Sequence, residues 1–247
     1  MSRRGQLNIK KAILIGASSG IGRALAKVLV REGYVVGIAA RRVPLLLELQ
    51  RELGDWAVVK SMDVADVPRA MADLTDWLDE LGDVDLVILN AGMGHTNPDL
   101  RWDWEDETIR VNVHGIAALG NVAMRYFIQR GAGHLVGISS VAGVRGNSGA
   151  PAYCASKAFL STYLDSLRYR ASCLGLPIAV TDVRPGFVDT AMGQSPQRFW
   201  VASPELAAEQ IYTAICRRKH RAYITRRWIL VAWLMRLLPD WLYRRLA

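Results

Sequence analysis

The chain has 247 residues, of which 51% are hydrophobic and 22% charged, so it can bury a sizeable α/β core and is too apolar for a disordered protein. Its three cysteines are widely spaced and show no paired-ligand pattern, which argues against a disulfide framework or a zinc site and favours a reducing, cytoplasmic compartment. The formal net charge of +8 is concentrated at the C-terminal end, where the segment from Arg217 onward holds nine basic residues and one acidic residue.

Apolar runs alternate with helical patterns along most of the chain. The first apolar run, at 11–16, is too short for a signal peptide and predicts a buried strand, followed by a helix at Gly20–Arg31 and a strand at Tyr34–Ala40. Further strands are predicted at 56–60, 84–90, 133–139, 178–183 and 222–225, and further helices at 44–53, 67–81, 104–129, 153–174 and 204–217. This alternation predicts one α/β domain in which helices cover both faces of a parallel sheet.

A glycine cluster lies where the first strand gives way to the first helix. Its candidate ligand-binding residues are Gly16, Ser18, Ser19, Gly20, Ile21 and Gly22. Backbone N–H groups and the positive end of the helix dipole can face a pyrophosphate there, and glycine lets the anion approach closely. A tight turn without a ligand is the alternative, but the position between strand and helix favours dinucleotide binding.

The residues that follow the second predicted strand indicate which dinucleotide is bound. An acidic residue about 20 positions beyond the glycines would hold a ribose 2′-hydroxyl, but this chain has Arg41 and Arg42 there. Two guanidinium groups suit a 2′-phosphate, so NADP(H) is the predicted cofactor. Solvated arginines at the start of a loop are the alternative.

Three side chains form a candidate catalytic group. Tyr153 and Lys157 lie four residues apart at the start of a predicted helix, so both side chains project from one face. A nearby ammonium would lower the pKa of the phenol, which then exchanges a proton with substrate. Ser140 ends a predicted strand thirteen positions earlier, and its hydroxyl can stabilise a carbonyl oxygen. Alone, such a Tyr/Lys pair would more commonly be an ordinary surface pair.

Together, these motifs resemble the short-chain dehydrogenase/reductase family over about residues 10–225. The matching positions, in order, are Gly16 to Gly22, Asn90-Ala91-Gly92, Asn112, Ser140, Tyr153 to Lys157 and Pro185-Gly186. The resemblance implies a single Rossmann-type domain, a doubly wound parallel sheet in three α/β/α layers. It also implies an oxidoreductase that works on a carbonyl or secondary alcohol and assembles as a homo-oligomer, a dimer or tetramer.

The resemblance further implies a role for each matching residue. Tyr153 would be the general acid/base, Ser140 would orient and polarise the substrate oxygen, and Lys157 would hold the nicotinamide ribose and lower the pKa of Tyr153. Asn112 would position a proton-relaying water. The remaining cofactor-binding residues would be Asp63, Asn90, Ala91 and Gly92 on the adenosine side and Pro185, Gly186, Val188 and Thr190 near the carboxamide. Two alternatives stay open: one is that Ser139 takes the role of Ser140, and the other is that Asn112 serves only backbone groups.

The last 22 residues, 226–247, are predicted as an amphipathic tail of aromatic and basic residues beyond a domain at 1–225. Eight apolar residues from Trp228 to Met235 are too few to cross a bilayer. Tryptophans among arginines suit a helix in the membrane interface, so the tail predicts peripheral association with the inner membrane face. The alternative is that the tail packs on the substrate cleft or on another subunit, and the sequence does not decide between this packing and membrane association.

The substrate is poorly encoded because specificity depends on loops. Met93, His95, Val144, Tyr153 and Phe187 are candidates to line the cleft, with 191–200 as a mobile lid. These mostly apolar residues predict a hydrophobic carbonyl or alcohol. Three other functions are alternatives: an NADP-binding redox sensor without turnover, nucleic-acid binding by the basic tail, and isomerisation. The complete Tyr/Lys/Ser/Asn set argues against the redox sensor, and the lack of a docking motif argues against nucleic-acid binding. The short C-terminal region argues against isomerisation. No metal site and no nucleic-acid partner are predicted.

Overall fold

Seven parallel strands form one sheet in the computed structural model, which describes residues 9–191 and 198–245. The strands are β1 (Lys10–Ile15), β2 (Tyr34–Ala40), β3 (Ala57–Ser61), β4 (Leu86–Leu89), β5 (Gly133–Ile138), β6 (Ile178–Pro185) and β7 (Arg221–Ile224). Their spatial order is β3-β2-β1-β4-β5-β6-β7, and each neighbouring pair is parallel. This is the Rossmann order extended by one strand, so the predicted fold class is confirmed.

Helices lie between successive strands, and further helices follow the last strand. They are α1 (Gly20–Arg31), α2 (Val43–Leu53), α3 (Val67–Leu81), α4 (Trp102–Ile109), α5 (Ile116–Arg130), α6 (Pro151–Cys173), α7 (Pro204–Cys216), α8 (Trp228–Leu237) and α9 (Asp240–Tyr243). Short 3₁₀ turns lie at Gly54–Trp56 and Val141–Val144. The prediction of one uninterrupted helix at 104–129 is wrong, because a π-helical segment at Arg110–Gly115 separates α4 from α5.

The core has two halves because successive side chains of a strand point to opposite faces of the sheet. On β1, Ala12 and Leu14 pack in the half that includes residues of α1, α2 and α7, whereas Ile13 and Ile15 pack in the half that includes residues of α3, α5 and α6. Burying one large aliphatic side chain contributes about 1.5–3 kcal/mol before conformational entropy is subtracted. The strands are therefore apolar on both faces, as sequence runs without alternation predict.

The strand order reverses between β1 and β4. The chain moves outward from β1 to β3 on one side and from β4 to β7 on the other. The loops that follow β1 and β4 therefore part at the carboxyl edge of the sheet, where open α/β sheets bind their ligands. Gly16 and Asn90 are the first residues of these two loops beyond the strands.

Candidate active site

The loop between β1 and α1 is shaped for close approach of a ligand backbone. Gly16 and Gly20 have φ values of +97° and +56°, which favour glycine. A Cβ on Gly22 would collide with the Gly16 carbonyl oxygen, and the Asn90 side-chain amide donates to that same oxygen at 2.6 Å. Ser19 precedes α1 without making a side-chain capping bond, so its side chain does not occupy the N–H groups at this helix end. Loop and helix end together form an anion cradle.

The two candidate 2′-phosphate ligands lie at the end of β2, on the same side of the sheet as this loop. A guanidinium nitrogen of Arg42 donates to the hydroxyls of Ser18 at 2.9 Å and Ser19 at 2.7 Å. Arg41 is exposed beside it. The structure therefore brings Arg42 to the glycine loop, whereas it gives Arg41 no comparable side-chain bond to that loop.

The remaining predicted cofactor residues also follow strand ends. Asp63 lies exposed just beyond β3, and its carboxylate accepts the backbone N–H of Ala65 at 3.0 Å, which makes a local turn. The loop that begins with Gly186 returns toward the glycine loop, because a Cβ on Gly20 would lie 2.8 Å from the Thr190 methyl group. Val188 is buried in this loop and pairs with Ala202. Asp63 makes no bond to the other predicted site residues.

Asn112 joins three parts of the site from within the π-helical segment. Its side-chain oxygen accepts the Met93 N–H at 2.9 Å, and its amide nitrogen donates to the Met93 carbonyl at 2.7 Å and to the Ser156 hydroxyl at 3.0 Å. Ser156 in turn donates to the backbone carbonyl of Tyr153. Asn112 thus does bond backbone groups, as the alternative proposed, but these belong to the loop after β4 and not to its own helix. Single π-helical turns within α-helices are frequent at functional sites.

Gly92 leaves room for Lys157 and Asn112 to come together. A Cβ on Gly92 would lie 3.2 Å from the Lys157 ammonium nitrogen and 3.4 Å from the Asn112 oxygen. The ammonium donates to the Ile138 carbonyl at 3.0 Å and lies 5.8 Å from the centre of the Tyr153 ring. The Tyr153 ring itself lies against Gly94, where a Cβ would overlap it. The four predicted catalytic residues therefore converge, with Lys157 buried beneath the tyrosine.

The pKa of Tyr153 differs from the sequence-based expectation. Burial raises this pKa above its usual value, and a hydrogen bond with Ser140 offsets the rise only in part. Burial also lowers the pKa of Lys157 to about 8, although the Asp182 carboxylate opposes this shift. Lys157 is not among the groups that shift the pKa of Tyr153, so the expected lowering of the tyrosine pKa by Lys157 is not found in the protein alone.

The geometry distinguishes the two adjacent serines. Ser139 is buried and donates its hydroxyl to the Asp182 carboxylate and to the Val183 carbonyl at 3.0 Å. The half-buried Ser140 accepts the Ala142 N–H at 3.1 Å and bonds the Tyr153 hydroxyl. Ser140 is therefore the serine hydroxyl that faces the tyrosine, and the geometry favours it over Ser139, whose hydroxyl is engaged with Asp182.

Two charged residues beneath the site were missed by sequence reasoning. Asp182 and Arg184 are buried on β6 and form an ion pair of 2.6 Å, which also holds Ser139 through Asp182. Their spacing of two places both on one face of the strand. An acidic and a basic residue two positions apart within an apolar strand predict such a buried pair, and this signal was available in the sequence.

Two of the candidate cleft residues pack against the C-terminal helix α8. Val144 and Phe187 pack with Val141 and with Trp228 of α8, whose ring centre lies 5.5 Å from that of Phe187. Trp228 was not predicted here, and a Cβ on Gly186 would overlap its indole ring. Of the predicted lid, residues 192–197 lie outside the described part of the chain.

The C-terminal helices are fastened to the loop that follows β5. The Arg145 guanidinium donates to the carbonyls of Met235 at 2.9 Å and Leu238 at 2.6 Å and pairs with the Asp240 carboxylate. Tyr243 donates to the Gly146 carbonyl at 2.9 Å. The tail thus packs beside the cleft, as one of its two predicted placements requires.

The histidines serve local contacts. His95 stacks on Trp104 at 5.0 Å and lies 3.2 Å from the Glu107 carboxylate, so it faces α4. His134 is buried at the start of β5, bonded to the Thr181 hydroxyl at 2.8 Å, and burial lowers its pKa to about 4. Within residues 9–191 and 198–245, no group of three or more His, Cys, Asp or Glu side chains gathers as a metal site would require.

Comparisons with known proteins show which family the chain resembles. The sequence model of the short chain dehydrogenase family matches residues 10–199. An uncharacterized oxidoreductase of Myxococcus xanthus (strain DK1622) is 42% identical over 202 residues, which cover 78% of this chain and 79% of that protein.

Two solved structures share the fold at lower identity. A short chain dehydrogenase/reductase from Burkholderia phymatum in complex with NAD superposes with a TM-score of 0.82 at 21% identity, covering 91% of this chain and 92% of that one. The closed form of serine dehydrogenase complexed with NADP+ superposes with a TM-score of 0.78 at 24% identity, covering 86% and 93%. Both dinucleotides thus occur in proteins of this fold.

Proposed function

Because this chain belongs to the short-chain dehydrogenase/reductase family, we propose that it transfers a hydride between NADP(H) and a carbonyl or secondary alcohol. Membership makes the protein an oxidoreductase with a nicotinamide cofactor. The preference for NADP(H), the chemical role of Tyr153 and a hydrophobic substrate are the specific parts of the proposal. A cytoplasmic location and a homo-oligomer, a dimer or tetramer, complete it.

The dinucleotide fits the residues at the carboxyl edge of the sheet. The cradle at Gly16 to Gly22, whose helix end is not capped by a side chain, would hold the pyrophosphate. Arg41 and Arg42 would hold the 2′-phosphate. The adenosine and carboxamide sides would be held by Asp63, Asn90, Ala91 and Gly92 and by Pro185, Gly186, Val188 and Thr190. When bound, the nicotinamide supplies or accepts the hydride.

Tyr153 handles the proton. In reduction its phenol donates a proton to the carbonyl oxygen while the carbonyl carbon receives the hydride, and in oxidation its phenolate takes the proton back. Burial keeps the phenol protonated near neutral pH, because it raises the pKa of Tyr153. This state suits the reduction direction, in which the tyrosine acts as the acid.

Ser140 and Lys157 support this transfer. The Ser140 hydroxyl bonds the Tyr153 hydroxyl, so a substrate oxygen placed near both would accept from both. Lys157, fixed by the Ile138 carbonyl, would hold the nicotinamide ribose. The convergence of Asn112, Lys157 and Tyr153 around the loop that follows β4 is the observation that carries the proposal.

An apolar wall favours a hydrophobic substrate. Val144, Phe187 and Trp228 pack together beside Ser140 and offer little hydrogen bonding to a polar substrate. We therefore expect kcat/KM to rise with the chain length of a ketone or aldehyde, because burying each further methylene contributes about 0.8 kcal/mol.

Removal of the phenolic oxygen tests the proposal. We expect Tyr153→Phe to lower kcat for NADPH oxidation by about 100- to 10,000-fold with an aliphatic ketone series, because general acid catalysis contributes that much. NADPH affinity, measured by fluorescence titration, should change little. Tyr169→Phe is the matched control, since Tyr169 lies exposed on the same helix.

Two outcomes contradict this assignment. Near-normal turnover by Tyr153→Phe removes the acid/base role. Tight NADPH binding by the wild-type protein without turnover of any carbonyl tested indicates the redox-sensor alternative instead.

A further inference from the structure

The outer face of α8 carries large apolar side chains in solvent. We call Ile229, Leu230, Trp233, Leu234 and Leu237 of α8 with Trp241 of α9 the docking face. Each of these six side chains is between 47% and 68% exposed. Their spacing of one, three or four residues along α8 places them on one side of the helix. Contiguous apolar patches of this kind mark interaction sites.

The exposure of the docking face does not come from a detached helix. The opposite face of α8 is fixed, with Trp228 and Ala232 buried against Val141. Arg145 bonds the carbonyls of Met235 and Leu238 at the end of the helix. The chain therefore has one apolar face of α8 packed and the other turned outward.

Five exposed arginines flank the docking face: Arg226, Arg227, Arg236, Arg244 and Arg245. Over the described residues 9–191 and 198–245, none of the five forms an ion pair with a carboxylate. Asp240, the acidic residue of this segment, is paired with Arg145. Arg227 and Arg245 instead lie over the rings of Trp200 and Trp241, at 5.0 and 6.0 Å. The face is thus apolar with a rim of positive charge.

We propose that the docking face binds the surface of an anionic phospholipid bilayer. An apolar stripe with tryptophans and a basic rim is the composition that lies in the membrane interface, with the rim at the lipid phosphates. No helix within the described part of the chain is long and apolar enough to cross a bilayer. In the proposed docking, α8 and α9 would lie along the membrane surface.

A second copy of the chain fits this face less well. A twofold contact sets the same patch against itself, so it would bring two unpaired arginine rims together. Like charges that face each other at an interface oppose association. An anionic lipid surface supplies the complementary charge.

Docking would place the cleft beside the lipid. Phe199 and Trp200 are exposed, and their rings contact Trp228, which packs on the cleft residue Phe187. The docked protein would therefore take up a carbonyl compound dissolved in the bilayer. This last step rests on the proposed function, whereas bilayer binding itself does not.

Vesicle sedimentation of the full-length protein tests the surface. We expect binding to vesicles of phosphatidylcholine with phosphatidylglycerol, weaker binding as salt rises, and little binding to phosphatidylcholine alone. The triple variant Leu230→Ser, Trp233→Ser, Leu234→Ser should lower the partition coefficient at least ~10-fold, since it removes three interfacial apolar side chains. Arg226→Gln, Arg244→Gln, Arg245→Gln should also lower it on anionic vesicles.

The control variant is Leu100→Ser, Trp102→Ser, which removes two similarly exposed apolar side chains outside the docking face. It should bind like the wild type. NADPH-dependent thermal stabilisation of every variant reports folding and dinucleotide binding separately from lipid binding. Unchanged vesicle binding by the triple variant overturns the proposal. So does a variant that binds vesicles normally but changes from dimer to monomer in sedimentation velocity, because the second copy is then the occupant.

Turnover tests the substrate step separately. A long-chain ketone presented in anionic vesicles should be reduced more slowly by the triple variant than by the wild type, with equal rates on a short water-soluble ketone. Equal rates on both substrates would remove the lipid-dissolved substrate while leaving bilayer binding in place. Loss of both activities in the wild type would instead contradict the proposed function.

Discussion

Arg42 is the described residue best placed to carry the proposed preference for a 2′-phosphate. Its guanidinium is held by the Ser18 and Ser19 hydroxyls, so it is already directed at the glycine loop. We expect Arg42→Ala to raise the KM for NADPH by about 10- to 100-fold, because a hydrogen bond to a charged group contributes about 1.5–3 kcal/mol. Steady-state kinetics with both cofactors measures this.

The KM for NADH should stay within about threefold, since NADH lacks the phosphate that the arginine binds. Arg51→Ala is the control, because Arg51 is exposed at the end of the same α2 helix. An equal loss of affinity for both cofactors would show that Arg42 only supports the loop.

His134 links stability to acid pH. Burial lowers its folded-state pKa to about 4, below the usual 6.5, so the folded state prefers the neutral ring. The resulting stability is complete above pH 6.5 and is lost as pH falls through 4. This amounts to about 3 kcal/mol. Urea unfolding between pH 7 and 4 should show a flatter dependence for His134→Gln, while the exposed-site control His220→Gln behaves as the wild type.

Sequence order predicted that the candidate catalytic residues come together, but it did not predict their electrostatics. The motif spacing located Ser140, Tyr153 and Lys157, and the structure brings them together. The direction in which the pKa of Tyr153 shifts depends on its burial, and burial cannot be read from the motif spacing. The choice between Ser139 and Ser140 depended on Asp182, forty-three residues away, because this carboxylate engages Ser139.

Among the elements, strands and most helices agreed with prediction to within a few residues, because apolar runs and capping signals are local. The segment Arg110–Gly115 was different. Its apolar residues continue the helical pattern of its neighbours, so periodicity predicted one helix. The π-helical segment places Asn112 against Met93 and Ser156. These are tertiary contacts, so the local helical periodicity does not predict the segment.

Trp228 fixes α8 to the body of the protein. Its ring packs on Phe187 and covers Gly186, whereas Trp233 on the same helix is 63% exposed. We expect Trp228→Ala to lower the free energy of unfolding by about 3–5 kcal/mol, the usual cost of deleting a buried aromatic ring. Trp233→Ala should change it by no more than about 0.5 kcal/mol. Equal stabilities in urea unfolding would contradict the packing of α8.

For the whole molecule, the alternation of strands and helices was sufficient to predict the layers and the site edge. Parallel strands need crossovers, and the reversal of strand order puts the crevice at their carboxyl ends. The position of the tail was not predictable in this way. It depends on Arg145, which contacts Met235 ninety residues later. The boundary at residue 225 stays a prediction.

The site edge collects residues from the ends of most strands, so a dinucleotide bound there would stabilise the whole sheet. NADPH at about 100 times its Kd should add about 2.7 kcal/mol to the free energy of unfolding. For a chain of this size, that raises Tm by about 5–10 °C. Tyr153→Phe should keep this shift, because it removes one hydroxyl and leaves the cradle at Gly16 to Gly22 intact.

Gly22→Val should lose most of the NADPH-dependent shift, because its side chain has no room beside the Gly16 carbonyl and the Asn90 amide. A thermal scan with and without NADPH measures both variants. If Gly22→Val folds and keeps the full shift, the dinucleotide binds elsewhere. If Tyr153→Phe loses it, the tyrosine contributes to binding and its effect on kcat no longer isolates proton transfer.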